Sequence, residues 1–355
     1  MLLNKLKHCL RWLANWQHWP FYLFYFPISY AWIGYYLKSR SLWFYTASNP
    51  TLKFGGFEGE KKSEMYKQLP TSLCPHSIYI HPAMPFADVV QQIAAHAIQY
   101  PFVVKPDVGM KGILFRKIEN EQQLQQYHAR MPAVYIVQEF IHLPLEVSVF
   151  YCRMPNSKSG QITAFIQKDL LEVYGDGVST LEQLIVQHPQ AKRLLTKIKK
   201  QYGAQLQQVL PPGILFCVSH IANLFNGARF TDITDKVNAQ LIALFDEISY
   251  GNQFYYGRYD IKCASVEDML QGKNFIILEF NGAGSVPNHI YAGRYNLLQA
   301  YKEILRHWKV MYEISACNQK KGIAYWDLWK GYRFLRRSKK YFHVLKQLDR
   351  QLFLQ

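Results

Sequence analysis

The sequence predicts a mixed α+β fold with largely antiparallel sheets. From residue 75 onward, short runs of β-branched and aromatic residues alternate with runs of helical periodicity. Hydrophobic residues make up 49% of the 355-residue chain, which suffices for the core of one large domain or of two ordinary ones. That apolar content excludes a wholly disordered chain, and we find no internal repeat and no low-complexity tract.

Local signals place the elements in order along this part of the chain. Proline and glycine separate the β-rich runs, which predict strands at 76–80, 102–105, 112–118, 134–140, 146–152, 161–167, 214–220, 255–262 and 274–281. Periodic apolar positions predict helices at 63–68, 88–98, 121–130, 180–188, 235–249 and about 296–312, with a basic helix that ends at 203. We expect Asp88 and Asp235 to begin two of these helices, and Thr180 and Gln183 to form a capping box.

Charge is concentrated at the two ends of the chain. The formal net charge is +16, and residues 1–40 hold five basic residues and no acidic residue. Residues 320–355 hold ten basic residues against two acidic ones. A nucleic-acid-binding protein would carry a basic stripe across its folded domain, so this distribution argues against nucleic acid as a partner. It favours a nearly neutral body with basic ends that suit an anionic membrane surface.

The six cysteines are scattered, without a C-x-x-C motif or a Cys/His cluster. This spacing argues against a zinc site or a disulfide framework and indicates a reducing, cytoplasmic compartment.

The N-terminal segment, residues 12–37, contains no charged side chain. Its length would suffice to cross a bilayer, which needs ~20 apolar residues. However, Pro20 and Pro27 interrupt it, and Trp and Tyr, which prefer the headgroup boundary, outnumber Leu, Ile and Val. We therefore favour a segment at the membrane interface, on the inner face, with a true span and burial within the fold as alternatives. The broken apolar run and the lack of a small-residue cleavage site argue against a secretory signal.

Two further stretches leave alternatives open. Three glycines within 55–59 mark a loop, which is either an ordinary turn before the helix at 63–68 or a loop that contacts substrate. Residues 332–347 place basic residues, among them Arg336, Arg337, Lys339, Lys340 and Lys346, between apolar ones, which predicts a basic amphipathic helix. That helix either binds an anionic membrane or packs on the body with its charges in water.

The most informative polar residues lie on the last two predicted strands. Side chains alternate faces along a strand, so Arg258 and Asp260 share one face, as do Glu279 and Asn281. If the strands pair, two carboxylates and an amide oxygen converge beside a guanidinium. Such oxygen ligands suit Mg²⁺, and the run 282–285 (GAGS) that follows offers backbone N–H groups to an anion. The alternative is two unrelated polar groups in an exposed sheet.

With these residues, the chain resembles the ATP-grasp ligases over roughly residues 76–312. The resemblance implies a nucleotide-contacting lysine in 101–106 (PFVVKP), a phosphate-covering loop at 108–112 (VGMKG) and an adenine-contacting hinge at 137–141 (VQEFI). The nucleotide-binding residues implied are Lys105, Gly109, Lys111, Gly112, Gln138, Glu139, Phe140, Ile141, Glu146 for the ribose, and Lys168 as a second phosphate contact. Arg258 matches the family's catalytic arginine, and Asp260, Glu279 and Asn281 match its metal ligands.

The residues alone leave other interpretations open. Lys105 would otherwise be a solvated strand end, Glu146 an exposed carboxylate, and Gln138 and Glu139 a polar pair on an edge strand.

Two more stretches indicate which ATP-grasp ligases the chain resembles most, and in two respects the chain departs from the family's pattern. Residues 174–181 (YGDGVSTL) and 223–235 (NLFNGARFTDITD) look like the ATP-grasp part of cyanophycin synthetase, whereas D-alanine–D-alanine ligases share the metal end but less of these. The loop at 108–112 has only two glycines and lacks the serines common in the family. No amino-acid-binding domain of normal length precedes the body, so the family's acceptor specificity does not transfer.

The resemblance implies an ATP-grasp fold of two α+β subdomains with the nucleotide between antiparallel sheets. We predict an N-terminal segment at 1–75, an ATP-grasp domain at 76–315 and a C-terminal basic helix at 316–355. Within the domain, 101–150 would form the nucleotide-binding lid and 151–315 the metal and acceptor part. Gly284, Ser285, Asn288 and His289 are either candidates for contacting the acceptor or part of an ordinary structured loop.

The implied activity is an ADP-forming ligation of a small-molecule carboxylate to an amine through an acylphosphate. ATP would be the cofactor together with Mg²⁺, or Mn²⁺ in its place, and Lys105 and Arg258 would be the catalytic residues. The alternatives are a membrane-surface protein that binds nucleotide without ligating anything, and a kinase-like enzyme that stops at phosphoryl transfer.

Overall fold

The computed structural model describes residues 16–293 and 295–352. The strands are β1 (Ser77–Ile80), β2 (Phe102–Pro106), β3 (Arg116–Ile118), β4 (Tyr135–Glu139), β5 (Leu145–Cys152), β6 (Gln161–Asp169), β7 (Leu171–Tyr174), β8 (Leu215–Ser219), β9 (Arg229–Asp232), β10 (Tyr256–Cys263) and β11 (Phe275–Asn281). The α-helices are α1 (Phe21–Tyr25), α2 (Ser29–Ser39), α3 (Lys62–Tyr66), α4 (Phe86–Ala95), α5 (Glu121–His128), α6 (Leu181–Gln187), α7 (Leu195–Tyr202), α8 (Ala239–Tyr250), α9 (Val266–Leu270), α10 (Leu297–Lys320) and α11 (Leu328–Leu352). Residues 1–15 and 353–355, with the start of the predicted N-terminal segment, lie outside the described residues.

The strands form two antiparallel sheets and a hairpin. The first sheet has the order β1-β4-β2-β3, the second the order β11-β10-β5-β6-β9, and β7 pairs with β8. Helices α4 and α5 pack on the first sheet, and α8 packs on one face of the second. The predicted α+β class with antiparallel sheets is confirmed.

Several predicted element boundaries were wrong, for local reasons. Helix α4 begins at Phe86 directly after Pro85, so Asp88 lies in its first turn and does not cap it. Helix α8 is capped by the Asn238 side chain, while Asp235 lies in a preceding single turn of 3₁₀-helix. The strand predicted at 112–118 is shortened to β3 because the chain turns at 112–115. The predicted capping box before α6 is present.

The predicted domain limits remain predictions, but packing crosses two of them. Leu52, Met65 and Leu69, from the predicted N-terminal segment, belong to the core of the second sheet. Strand β5 pairs with β6 and β10 in the second sheet, although most of it lies within the predicted lid at 101–150.

The N-terminal helices dock on the body through one side only. Phe24 and Ile28 are buried against Ile304 of α10, and the Tyr35 ring stacks on Tyr312. The other side is exposed at positions 22, 26, 30, 33 and 37. Within the described residues, no helix has the length and apolarity needed to cross a membrane.

The C-terminal helix α11 is also amphipathic in the structure. Phe342 and Leu345 are buried in the core of the first sheet, and Phe334 packs on Phe54 near the second. The basic residues Arg333, Arg336, Arg337, Lys339, Lys340, Lys346 and Arg350 are exposed on its outer side. The helix therefore packs on the body and leaves its charges in water, as one of the two interpretations predicts.

Candidate active site

Strands β10 and β11 pair in the register that brings the predicted metal ligands together. Arg258 lies opposite Asn281, and Asp260 lies opposite Glu279. Asn281 Nδ2 lies 3.3 Å from Asp260 Oδ2 and 3.4 Å from Glu279 Oε1, so the amide sits between the two carboxylates. The intervening Tyr259 and Phe280 are buried in the core on the opposite face. The alternation of side chains thus presents all four polar groups on one surface.

Asp260 is the centre of a buried network of opposite charges. Arg258 Nη2 donates to Asp260 Oδ2 at 2.9 Å, and Lys168 Nζ donates to Asp260 Oδ1 at 2.6 Å and to Glu146 Oε1 at 3.1 Å. Burial raises the pKa of Asp260, but Arg258 and Lys168 outweigh burial and hold it below its usual value. Arg258 also donates from Nη1 to Asn288 Oδ1 at 3.1 Å, which links the loop after β11 to this network.

Lys105 lies at the end of β2 with its ammonium buried. Its Nζ donates to Tyr66 Oη and to Gln138 Oε1, both at 3.0 Å. Burial, followed by repulsion from Lys62, lowers the pKa of Lys105 to about 7. The interpretation of Lys105 as a solvated strand end was therefore wrong.

Helix α3 joins the two sheets at this site, although the sequence predicted no role in the site for any of its residues. Lys62 Nζ donates to Glu279 Oε2 at 2.5 Å, and Tyr66 Oη donates to the Leu278 carbonyl of β11 at 2.5 Å while it accepts from Lys105 of β2. Asp107 accepts hydrogen bonds from the backbone N–H and the hydroxyl of Ser63 and so fixes the start of the helix. The only sequence signal near this helix was the glycine-rich loop before it, for which contact with substrate was one of two interpretations.

The other predicted nucleotide residues lie around this centre, but not all of them point into it. Gln138 is buried and donates to Tyr66 Oη and Ser77 Oγ, whereas the Glu139 carboxylate accepts from the backbone of His76. Phe140 packs on the His220 ring, and Ile141 is half-buried. The Glu146 side chain is only 11% exposed and pairs with Lys168, so its interpretation as an exposed carboxylate was also wrong.

The loop at 108–112 faces the segment that follows β8. Gly109 is half-buried, while Lys111 is exposed with its ammonium 4.9 Å from the centroid of the Phe225 ring. Gly112 has a φ of +76°, and a Cβ there would lie 2.7 Å from a methyl carbon of Ile221. Only glycine suits this turn and this close approach.

The donors of β10 and β11 fit a magnesium ion by their chemistry. Two carboxylates on neighbouring strands point at one amide, and rotation of that amide would present three oxygen ligands to a hard cation. Asp260, Glu279 and Asn281 would hold the ion, and Lys62, Lys105, Lys168 and Arg258 surround it with groups that suit phosphate.

A cavity of about 560 Å³ opens beside this site. Lys61, Lys67, Asp107, Arg337 and Tyr341 are among the residues that line it, and none of the predicted site residues does.

Neither a model of a known protein family nor a curated protein matches this chain. Among solved structures, it is similar to a bifunctional glutathione synthetase from Pasteurella multocida (18% identity, 69% of this chain and 35% of that one, TM-score 0.36). It is also similar to the VanG D-Ala:D-Ser ligase from Enterococcus faecalis (12%, 71% and 61%, 0.41) and to the ATP-grasp ligase PsnB complexed with minimal precursor (14%, 70% and 60%, 0.37).

The match spans about a third of the length of the first of these proteins and about three fifths of the other two. The resemblance to the ATP-grasp ligases rests on the sequence motifs of this chain.

Proposed function

We propose that this chain is an ATP-grasp carboxylate–amine ligase that uses ATP with Mg²⁺ or Mn²⁺ and forms ADP. The observation that carries the proposal is the oxygen set of Asp260, Glu279 and Asn281, with Lys105 joined to the same strand pair through Tyr66. Buried cations and acidic side chains lie close together at this site. Such an arrangement suits a metal-bound triphosphate, because the acidic groups would hold the metal and the cations would offset the phosphate charge.

In the proposed reaction, a carboxylate oxygen of the first substrate attacks the γ-phosphorus of ATP, and the bond to the β–γ bridging oxygen breaks to release ADP. The amine of the second substrate attacks the acyl carbon, phosphate leaves, and the amine loses a proton. Lys105 and Lys168 would offset phosphate charge, and Arg258 would stabilise the oxygens that gain charge in both steps. Bound Mg²⁺ would supply further neutralisation of the phosphates.

A screen for ADP release tests this function directly. Purified protein is incubated with Mg-ATP and with paired small-molecule acids and amines, and ADP is measured by a coupled assay. A ligase is expected to release ADP only when both an acid and an amine are present. ADP release without an amine would favour the kinase-like alternative, and ATP binding without any ADP release would favour the non-catalytic one.

A location at an anionic membrane surface is a second part of the proposal, and the exposed side of the N-terminal helices favours it. Tyr22, Phe26, Tyr30, Ile33 and Leu37 follow one another at helical spacing, and Tyr22 and Phe26 are 83% and 79% exposed. A stripe of exposed aromatic and aliphatic side chains, together with the basic ends of the chain, is typical of a helix that lies in the membrane interface.

Replacing Phe26 and Tyr30 together with Ser is expected to weaken binding to vesicles of anionic phospholipid at least about tenfold, because two apolar contacts with the bilayer are lost. Sedimentation with vesicles measures this. Tyr174→Ser, at another exposed tyrosine, is the matched control. Equal sedimentation of all three proteins would contradict the membrane role. Point variants are preferable to deletion of 320–355, which would remove Phe342 and Leu345 from the core.

A further inference from the structure

A second cluster of polar side chains lies where α10 packs on the second sheet, on the face that also carries Arg258. It consists of His289, in the loop after β11, and Glu303 and His307, one turn apart on α10. Both histidines are almost fully buried, Glu303 is half-buried, and one potential ligand atom from each lies within 4.8 Å of the other two. The proposed ligase reaction uses neither Glu303 nor His307, and the His289 side chain, a candidate for contacting the acceptor, is buried against these two residues.

Within the described residues, three of the four ring nitrogens of this cluster have no hydrogen-bond partner. They are both nitrogens of His307 and Nδ1 of His289. Leaving a buried polar group unpaired costs about 1–3 kcal/mol. The His307 ring packs edge-to-face against Phe150, with ring centroids 4.6 Å apart, and lies beside the His289 ring. A buried imidazole in such surroundings is stabilised by a ligand that accepts the lone pair of its nitrogen.

The distances within the cluster also fit a common metal ion. His289 Nε2 lies within hydrogen-bond distance of Glu303 Oε2, at 3.3 Å, and His307 Nε2 lies 3.7 Å from the same oxygen. The second distance is too long for a hydrogen bond. Two ligand atoms that each lie 2.0–2.1 Å from a tetrahedral zinc ion are roughly 3.3–3.4 Å apart. Arg306 also donates to Glu303 Oε2, at 2.9 Å, and so orients the carboxylate from the solvent side.

We propose that His289, Glu303 and His307 form a binding site for a divalent transition metal such as Zn²⁺. Two imidazoles and one carboxylate are the ligands such ions favour, with a fourth position left for water. The site would tie the loop after β11 to α10. Asn288, the residue before His289, accepts from Arg258, so the metal would also fix one contact of the proposed catalytic arginine. The cysteine spacing gave no sign of this site because no cysteine takes part in it.

Metal binding without nucleotide tests the proposal. Full-length protein is stripped with EDTA and titrated with ZnCl₂ in a calorimeter, and with CoCl₂ while the visible absorption of tetrahedral Co²⁺ is followed. We expect one ion per chain. His307→Phe and Glu303→Gln should each weaken binding at least about 100-fold, because even the loss of a group that only supports a metal ligand costs 10–100-fold. His96→Gln, at an exposed histidine, should bind as the wild type does.

Melting curves separate a metal site from a purely structural cluster. In EDTA, His307→Phe should melt no lower than the wild type, because the variant has an apolar ring where the wild type has an imidazole with unpaired nitrogens. Added Zn²⁺ should raise the melting temperature of the wild type and of His96→Gln but not of His307→Phe. A wild type that binds no Zn²⁺ or Co²⁺, or a His96→Gln variant as impaired as His307→Phe, would overturn the proposal. Neither result depends on ATP, so the ligase proposal is tested separately.

Discussion

Replacing Glu279 with Gln is expected to lower ADP formation by about 100-fold or more. The change keeps the size of the side chain but removes one of the two carboxylates that face Asn281. Loss of a metal ligand misplaces the phosphates, and a 100-fold loss corresponds to about 2.7 kcal/mol of transition-state stabilisation. The measurement is ADP release with an acid and amine pair found in the screen, together with ATP affinity at several Mg²⁺ concentrations. The dependence of ATP affinity on Mg²⁺ should weaken in parallel.

The Lys62–Glu279 ion pair makes a matched control necessary. Glu279→Gln also removes the partner of the buried Lys62 ammonium, and this alone costs stability. Lys62→Met breaks the same pair but keeps the carboxylate, so it should retain the Mg²⁺ dependence that Glu279→Gln loses. Glu267→Gln, at an exposed carboxylate, controls for the loss of one negative charge. ADP release by Glu279→Gln at the wild-type rate would show that the metal site is misassigned.

Asp260 is a less informative position for this test, although its loss should reduce turnover as strongly. Its carboxylate pairs with both Lys168 and Arg258. Removing it would leave Arg258 without this carboxylate and Lys168 with Glu146 alone, and a broken buried pair costs about 3–5 kcal/mol. A loss of activity in Asp260→Ala would therefore combine unfolding with the loss of a ligand.

The part of the site that could be predicted from the sequence depends on the regular alternation of side chains along each strand. Alternation along a strand places Arg258 with Asp260, and Glu279 with Asn281, and two strands separated by a short connection commonly pair. Lys105 and Glu146, by contrast, became candidates through the resemblance of their segments to the ATP-grasp ligases. The pairing of β10 with β11 then required no information beyond the sequence around each strand.

The remaining contacts depend on chain segments that are far apart in sequence. Lys62 reaches Glu279 across 217 residues, and Tyr66 reaches Leu278 across 212. Nothing in the local pattern of 62–66 distinguishes it from a surface helix. His289 and His307 likewise meet only because α10 packs on the second sheet. The predicted starts of two helices were wrong for a different reason. Pro85 begins one helix before Asp88, and Asn238 caps the other after Asp235.

The pKa of Lys105 leads to a prediction about ATP binding and pH. In the free protein this pKa is lowered to about 7, so the side chain is largely neutral at pH 8. Triphosphate beside the amine would favour its charged form and raise the pKa, so ATP binding above pH 7 should take up a proton. The dissociation constant for ATP should then rise with pH by up to about tenfold per unit above pH 7. Calorimetry in buffers of different ionisation enthalpy measures the proton uptake.

Lys105→Met is the variant that isolates this effect. It keeps an unbranched side chain but cannot titrate, so it should bind ATP at least about tenfold more weakly at pH 7 and lose the proton uptake that begins above that pH. Stability provides an independent readout. Between pH 7 and the ordinary lysine value of 10.5, the unfolded wild type binds a proton that the native state does not, so its free energy of unfolding should rise with pH relative to the variant. The rise is at most about 1.4 kcal/mol per pH unit. If instead the two proteins show parallel stability and parallel ATP affinity across this range, Lys105 is not the buried amine at the nucleotide site.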